Sequence, residues 1–330
     1  MNKGKRLARG LCFWLVLALM ICTLTYMTRD KNDSEFAHPY YYEQKNSLDV
    51  VFVGSSHTMC AIYPLDLYHE YGIAAYDYAS SGLALPQLYY QVVEALKTQT
   101  PEVLVLDISG VRYDNTKITS SEYVHLQLDN MKWSLNRIEA INDLIEEPGD
   151  RLEYYFPLLK FHTRWKSLGR RDFKPITGDS KGARVGDMVW SLEPCALVPE
   201  DYVSPIPECP EAYLRKILDC CRDRGVQVLL FNPPDSAGEE LQGRYNAVCA
   251  IAEEYGLPYL NLMYHLDDLG FDYGADMRDI EHCNRWGGEK VTSYVGRYLK
   301  ENYDLPDRRE DAAYASAWDA AYERYASVYF

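Results

Sequence analysis

Val103-Leu104-Val105-Leu106-Asp107-Ile108 is the stretch that decides the fold. Pro101 leads into it and Ser109-Gly110 follows. A short, continuous apolar run between turn residues reads as a strand buried on both faces, as parallel sheets require. Upstream, residues 47–53 (SLDVVFV) read as a buried strand ending at Gly54, residues 65–71 as a short helix and residues 73–78 as a second strand. Residues 85–98 carry Leu88, Val92, Ala95 and Leu96 at helical spacing. Downstream, residues 211–224 read as a helix, 226–231 (VQVLLF) as a strand, 238–255 as a helix, 258–262 as a short strand and 286–303 as the closing helix. Such alternation predicts an α/β fold, a three-layer α/β/α sandwich around a mainly parallel sheet.

The segments outside this alternation divide the chain. Lys3, Lys5, Arg6 and Arg9 precede an uncharged apolar run over residues 10–27, long enough to span a bilayer as a helix. The run ends in Thr-Leu-Thr-Tyr-Met-Thr, a poor signal-peptidase site, so residues 1–29 read as a cytoplasmic tip and an uncleaved transmembrane anchor. The basic flank stays cytoplasmic, which places the remainder outside the cell membrane. Residues 30–46 read as a stalk, 47–303 as the main domain and 304–330 as an amphipathic helix. In that last segment Tyr314, Trp318, Tyr322, Tyr325 and Tyr329 form one stripe that packs back on the body. Residues 110–210 have weaker strand character and read as an insertion or cap, with an amphipathic helix near residues 133–145.

A net charge of −15 over 330 residues repels nucleic-acid phosphate, so no nucleic-acid partner is expected. Nine cysteines include no CxxC pair, and the scattered histidines show no metal-ligand spacing; no metal and no cofactor are expected. Cys195 with Cys209 is the pair to test first for a loop disulfide.

Two short motifs carry chemistry. Gly54-Ser55-Ser56-His57 follows the first strand, at the carboxyl edge where parallel α/β sheets place their sites. A helix starting there aims free N–H groups at the same point, where they can hold an oxyanion. A serine there can also merely cap the helix. Asp279-Ile280-Glu281-His282 lies after the last strand; a carboxylate three residues before a histidine can reach the imidazole and fix its tautomer.

The blocks VFVGSSH (51–57), DYASSG (77–82) and DIEHCNRWGG (279–288), behind one N-terminal anchor, resemble the SGNH (GDSL-like) hydrolase superfamily. Within it they are similar to the envelope branch, which includes the D-alanine transfer protein DltD and polysaccharide O-acetyltransferases. The resemblance covers residues 48–299, least clearly in the insertion. It implies Ser56 as nucleophile, His282 as general base and Asp279 as its orienting acid. It also implies an oxyanion hole from the N–H groups of Ser56 and Gly82. The third block departs from the pattern: Asp107-Ile108-Ser109-Gly110-Val111-Arg112 stands where the family has Gly-x-Asn-Asp, so the oxyanion asparagine is missing, with Asn115 as a candidate substitute. His57 and Asn232 are further candidate substrate contacts.

The resemblance implies an extracytoplasmic serine acyltransferase or esterase acting on acyl esters of a cell-envelope polymer or glycan, beside a membrane-bound acyltransferase partner. The alternative is a non-catalytic SGNH-like glycan-binding or scaffold protein of an envelope acylation complex.

Overall fold

The computed structural model describes residues 3–178 and 180–330. The chain runs through α1 (Lys3–Thr28), α2 (Ser34–Ala37), β1 (Val50–Val53), α3 (Ser56–Ala61), α4 (Pro64–Tyr71), β2 (Ala75–Asp77), α5 (Leu85–Ala95) and β3 (Val103–Asp107). The insertion follows, with α6 (Ser121–Leu128), α7 (Leu135–Leu144), α8 (Arg151–Tyr155) and α9 (Leu158–Phe161). Then come α10 (Glu208–Asp223), β4 (Gln227–Asn232), α11 (Glu239–Tyr255), β5 (Tyr259–Asn261), α12 (Leu266–Leu269), α13 (Arg285–Asn302) and α14 (Ala312–Tyr329).

The five strands form one parallel sheet in the order β2-β1-β3-β4-β5. Successive strand residues point to opposite faces, so each strand feeds two cores. Val51, Val53, Leu104, Leu106 and Leu230 pack with Leu88, Val92, Leu214 and Val248 of the helices on one side. Val50, Phe52, Val103, Val105 and Phe231 pack with Val291, Val295 and Leu299 of α13 on the other. Burial on both faces explains why the strands read as continuous apolar runs. Each fully buried Val or Leu contributes about 1.5–3 kcal/mol by removal from water. The chain turns from β1 outward to β2, then crosses back to β3 on β1's other side. That order reversal opens the carboxyl edge beside β1, the place where open α/β sheets hold ligands.

The insertion has a small core of its own. Val124 and Leu128 of α6, Ala140, Ile141 and Leu144 of α7, and Tyr154 of α8 pack against Tyr90 of α5.

Residues 30–46 are not a stalk. Asp33, Ser34, Ala37 and Tyr40 are buried. The Tyr40 ring stacks on Tyr78 with centroids 4.2 Å apart, and its hydroxyl donates to Ala95 O at 2.9 Å. Tyrosines in this segment bury their rings and satisfy their hydroxyls, which a polar spacer would not do. The end of α1 therefore joins the body directly: Tyr26 Oη donates to Lys174 O at 2.8 Å and Arg164 Nη1 to Thr28 O at 2.9 Å. Helix α1 is long and apolar enough to cross a membrane.

Cys195 and Cys209 are both free. Cys195 Sγ lies 3.5 Å from Tyr273 Oη, whereas Cys209 Sγ lies 3.6 Å from Thr116 O. The two thiols occupy different surroundings, so the disulfide expectation fails.

Helix α14 lies along α4. Trp318 and Tyr325 are buried, and Tyr322 stacks on His69 at 4.0 Å between centroids. Tyr325 Oη donates to Asp66 Oδ2 at 3.3 Å. Burial pushes the Asp66 carboxyl up to about 7, against the opposing Tyr325 hydrogen bond. Below pH 4 the group is protonated in both the folded and the unfolded chain. Between pH 4 and 7 only the unfolded chain ionises it, so its burial increasingly favours unfolding; above 7 the cost is constant. Asp66→Asn keeps an acceptor for Tyr325 and removes this cost. It should stabilise the fold at pH 8 by no more than about 4 kcal/mol and change little at pH 4. Urea titrations at both pH values check this; an equal effect at both would overturn it.

Candidate active site

Ser56 is the first residue of α3, directly after β1. At that position the N–H has no acceptor within the helix and points outward from the sheet edge. Ser55 caps the helix, its hydroxyl accepting from His57 N. A second set of bonds pins the turn. Asp107 Oδ2, at the end of β3, accepts from Ser55 N at 3.0 Å and Ser55 Oγ at 2.8 Å. Asp107 Oδ1 accepts from Ser109 N at 2.7 Å. Gly54 makes the turn possible, since a Cβ there would come 2.6 Å from Asp107 Cβ.

The histidine arrives on the loop between β5 and α13. Asp279 Oδ1 accepts from the N–H groups of Glu281 and His282, each at 2.9 Å, which curls the four residues into a tight turn. Met277 bridges Cys283 across the base of that loop. Arg112 braces it: the guanidinium pairs with Glu281 on the loop and, at 2.6 Å, with Asp235 after β4. Burial lifts the Asp235 carboxyl to about 6 against the pull of Arg112. Asn284 then caps α13, its side chain accepting from Trp286 N and Gly287 N.

These two loops meet. His282 Nε2 lies 2.7 Å from Ser56 Oγ, and His282 Nδ1 lies 2.8 Å from Asp279 Oδ1. Burial raises the Asp279 carboxyl, but the Glu281 N–H and the charge and hydrogen bonds of His282 outweigh it and hold the group below the ordinary carboxylate range. The three side chains line a cavity of about 600 Å³. Asp33, Glu35 and Phe36 of the segment after α1, Tyr123 and Leu126 of α6, and Arg171, Arg184 and Arg278 complete much of its wall. The lining is mostly polar. Arg184 pairs with Asp33 and Arg171 with Glu35 at 3.5 Å.

The remaining candidate residues fall differently around this centre. Gly82 adjoins Ser81, which lines the cavity, and has a φ of +66°. A Cβ at Gly82 would sit 2.5 Å from the Tyr123 ring, so both backbone and packing demand glycine there. His57 is buried, not open to substrate: Nδ1 bonds Ser55 Oγ at 2.9 Å, and its ring lies 5.1 Å from that of His282. The small turn draws it inward beneath Ser56. Asn115 is exposed, accepts from Cys209 N at 2.9 Å and lines a different cavity, so it does not replace the missing asparagine. Asn232 is buried at the end of β4 and donates to Asn261 Oδ1 at 3.0 Å, a bond across the sheet edge.

Sequence reasoning missed Asp107, Arg112 and Asp235 as supports. Asp107 ends the strongest strand, and a buried carboxylate at a strand's carboxyl end was the available signal. It also missed the segment after α1 as a cavity wall.

No family model and no curated protein matches the chain. Among solved structures, it is similar to a lipolytic protein of the G-D-S-L family from Desulfitobacterium hafniense DCB-2, at 11% identity over 76% of this chain and 98% of that one, with a TM-score of 0.40. It is also similar to an acylhydrolase from Bacteroides fragilis NCTC 9343, at 10% identity over 81% of this chain and 94% of that one, with a TM-score of 0.40. A gut microbial diltiazem-metabolizing enzyme matches at 12% identity over 78% of this chain and 47% of that one, with a TM-score of 0.28. At such identities the chemistry of the site is read from Ser56, His282 and Asp279 themselves.

Proposed function

We propose that this chain is a membrane-anchored, extracytoplasmic serine esterase or O-acyltransferase of the SGNH type. The observation that carries this reading is the chain of contacts from Ser56 Oγ through His282 to Asp279, between residues 226 positions apart. His282 Nε2 takes the Ser56 proton as Oγ attacks the acyl carbonyl carbon. The resulting oxyanion is held by the N–H of Ser56 and that of Gly82. Collapse expels the alcohol, which takes the proton back from His282, and leaves the acyl group on Ser56. Water or a polymer hydroxyl then gives its proton to His282 and takes the acyl group. Asp279, an anion at neutral pH, keeps the Nδ1 proton in place and stabilises the imidazolium.

The polar cavity favours a small acyl group on a polar carrier, such as an acylated envelope glycan, over a long lipid chain. Its apolar lining, at Phe36, Cys60, Tyr123, Leu126 and Val185, is interspersed with charged and polar side chains. Helix α1, held directly against the body, supports placement at a membrane surface. One feature favours the alternative of a non-catalytic binding or scaffold protein: no asparagine occupies the third-block position.

A fluorophosphonate probe separates the two. The wild type should label stoichiometrically and Ser56→Ala not at all. A wild type that resists the probe while folded would remove the enzymatic reading.

A further inference from the structure

A second cavity, of about 570 Å³, lies where α1 leaves the insertion. One wall is the outer end of α1, with Ile21, Thr25 and Tyr26; the facing wall carries Trp133, Tyr155 and Phe156. Its lining is predominantly apolar except at one end. There Arg29, Lys132 and Arg137 gather with His38, facing a single carboxylate, Asp129. That carboxylate is already engaged: Oδ1 with Arg137 Nη2 at 3.1 Å and Oδ2 with His125 Nδ1 at 3.0 Å. Arg29 Nε, His38 Nδ1 and Arg137 Nε are all buried without a hydrogen-bond partner in the protein. Arg137 as a whole is 4% exposed. The two arginine Nε–H groups are donors, and leaving them unmet is costly unless an acceptor enters. Burial, with the charges of Arg29 and Lys132, pushes His38 down to about 4, so its neighbours make an electropositive end.

The surroundings match. Residues 151–174 hold seven Lys or Arg and two acids in a chain of net charge −15, so positive charge concentrates in the segment packed on α1. The same segment exposes Leu152, Phe156, Leu159, Trp165 and Phe173. Aromatic and basic residues of this kind suit a bilayer interface.

We propose that this cavity binds one anionic membrane lipid, with its phosphate against Arg29, Lys132 and Arg137 and its chain along α1. The proposal rests on the reading of α1 as a membrane anchor. The lipid site is distinct from the Ser56 cavity. Helix α6 links them: Tyr123 and Leu126 face Ser56's cavity, and the next residue after the helix, Asp129, lies in the lipid site.

Native mass spectrometry of the detergent-solubilised full chain tests this, with dioleoylphosphatidylglycerol, dioleoylphosphatidylcholine and inorganic phosphate as probes. The expected result is phosphatidylglycerol binding about tenfold tighter than phosphatidylcholine, the equivalent of one lost charge contact, with no displacement by millimolar phosphate. Lys132→Glu reverses an exposed charge, and Thr25→Trp fills the apolar end. Each should weaken phosphatidylglycerol by about tenfold or more. Equal binding of the two lipids, displacement by phosphate, or indifference to both variants would each overturn the assignment. Alkaline carbonate extraction of membranes tests the anchor separately: a chain that is released lacks the anchor whatever its lipid preference, and a chain that stays but shows no preference lacks only the lipid site.

Discussion

Ser56→Ala and His282→Ala should each cut kcat for p-nitrophenyl acetate hydrolysis by at least about 10³-fold, with KM nearly unchanged. In the proposed mechanism the two residues act as one unit. The hydroxyl is a poor nucleophile until the imidazole takes its proton, and the imidazole then returns that same proton to the leaving alcohol, so without Ser56 it has nothing to activate. The double variant should therefore be no slower than either single one. Asp279→Asn should cost less than loss of the nucleophile, about 10² to 10⁴-fold, because the amide favours the wrong imidazole tautomer while leaving Ser56 in place. Its loop would also weaken, since Asp279 Oδ1 accepts two backbone N–H groups as well as the imidazole. Stopped-flow or steady-state kinetics on purified variants read these numbers. Retention of more than a tenth of kcat in either the Ser56 or the His282 variant would sink the triad.

The second large effect belongs to a residue with no contact to substrate. Asp107→Ala should destabilise the fold by about 3 kcal/mol or more and lower kcat by about 10²-fold. Asp107 is 1% exposed and accepts from Ser55 N, Ser55 Oγ and Ser109 N. Removing the carboxylate strands the Ser55 and Ser109 N–H groups in the interior, each at a cost of about 1–3 kcal/mol before relaxation, while Ser55 Oγ keeps His57 Nδ1 and Ser109 Oγ as partners. Released from Asp107, the Ser55–Ser56 turn loses its registry with His282, and an ångström of misplacement costs about 10²-fold in rate. Asp107 is a positioning residue, so the loss should appear in kcat and in the fluorophosphonate labelling rate, not in KM. Asp107→Asn offers one acceptor and one misplaced donor and should fall between. Guanidinium unfolding with parallel kinetics measures both effects. A variant that unfolds more easily but labels at the wild-type rate when folded would show that Asp107 supports the fold alone.

Local chemistry determined much of this protein by itself. The strands betrayed themselves because a sheet covered on both faces leaves no polar side, so VLVLDI and VQVLLF carry no alternation. Helices α5, α10, α11 and α13 are legible in the sequence, α5 from the apolar spacing of Leu88, Val92, Ala95 and Leu96, and the Asp279-x-x-His282 turn is closed by contacts within four residues. Long-range packing decided the rest. The segment after α1 reads as a polar spacer until Tyr40 finds Tyr78 and Asp33 finds Arg184, partners tens of residues away or more. Asn115 and His57 look equally chemical in the chain, yet one faces solvent and the other lies buried beside Ser55 and Ser56. Which polar side chain reaches a site depends on where strands end relative to one another, and that is a property of the assembled sheet. Asp107 shows it best: its neighbours in sequence say strand, and only the pairing of β3 with β1 puts its carboxylate against Ser55.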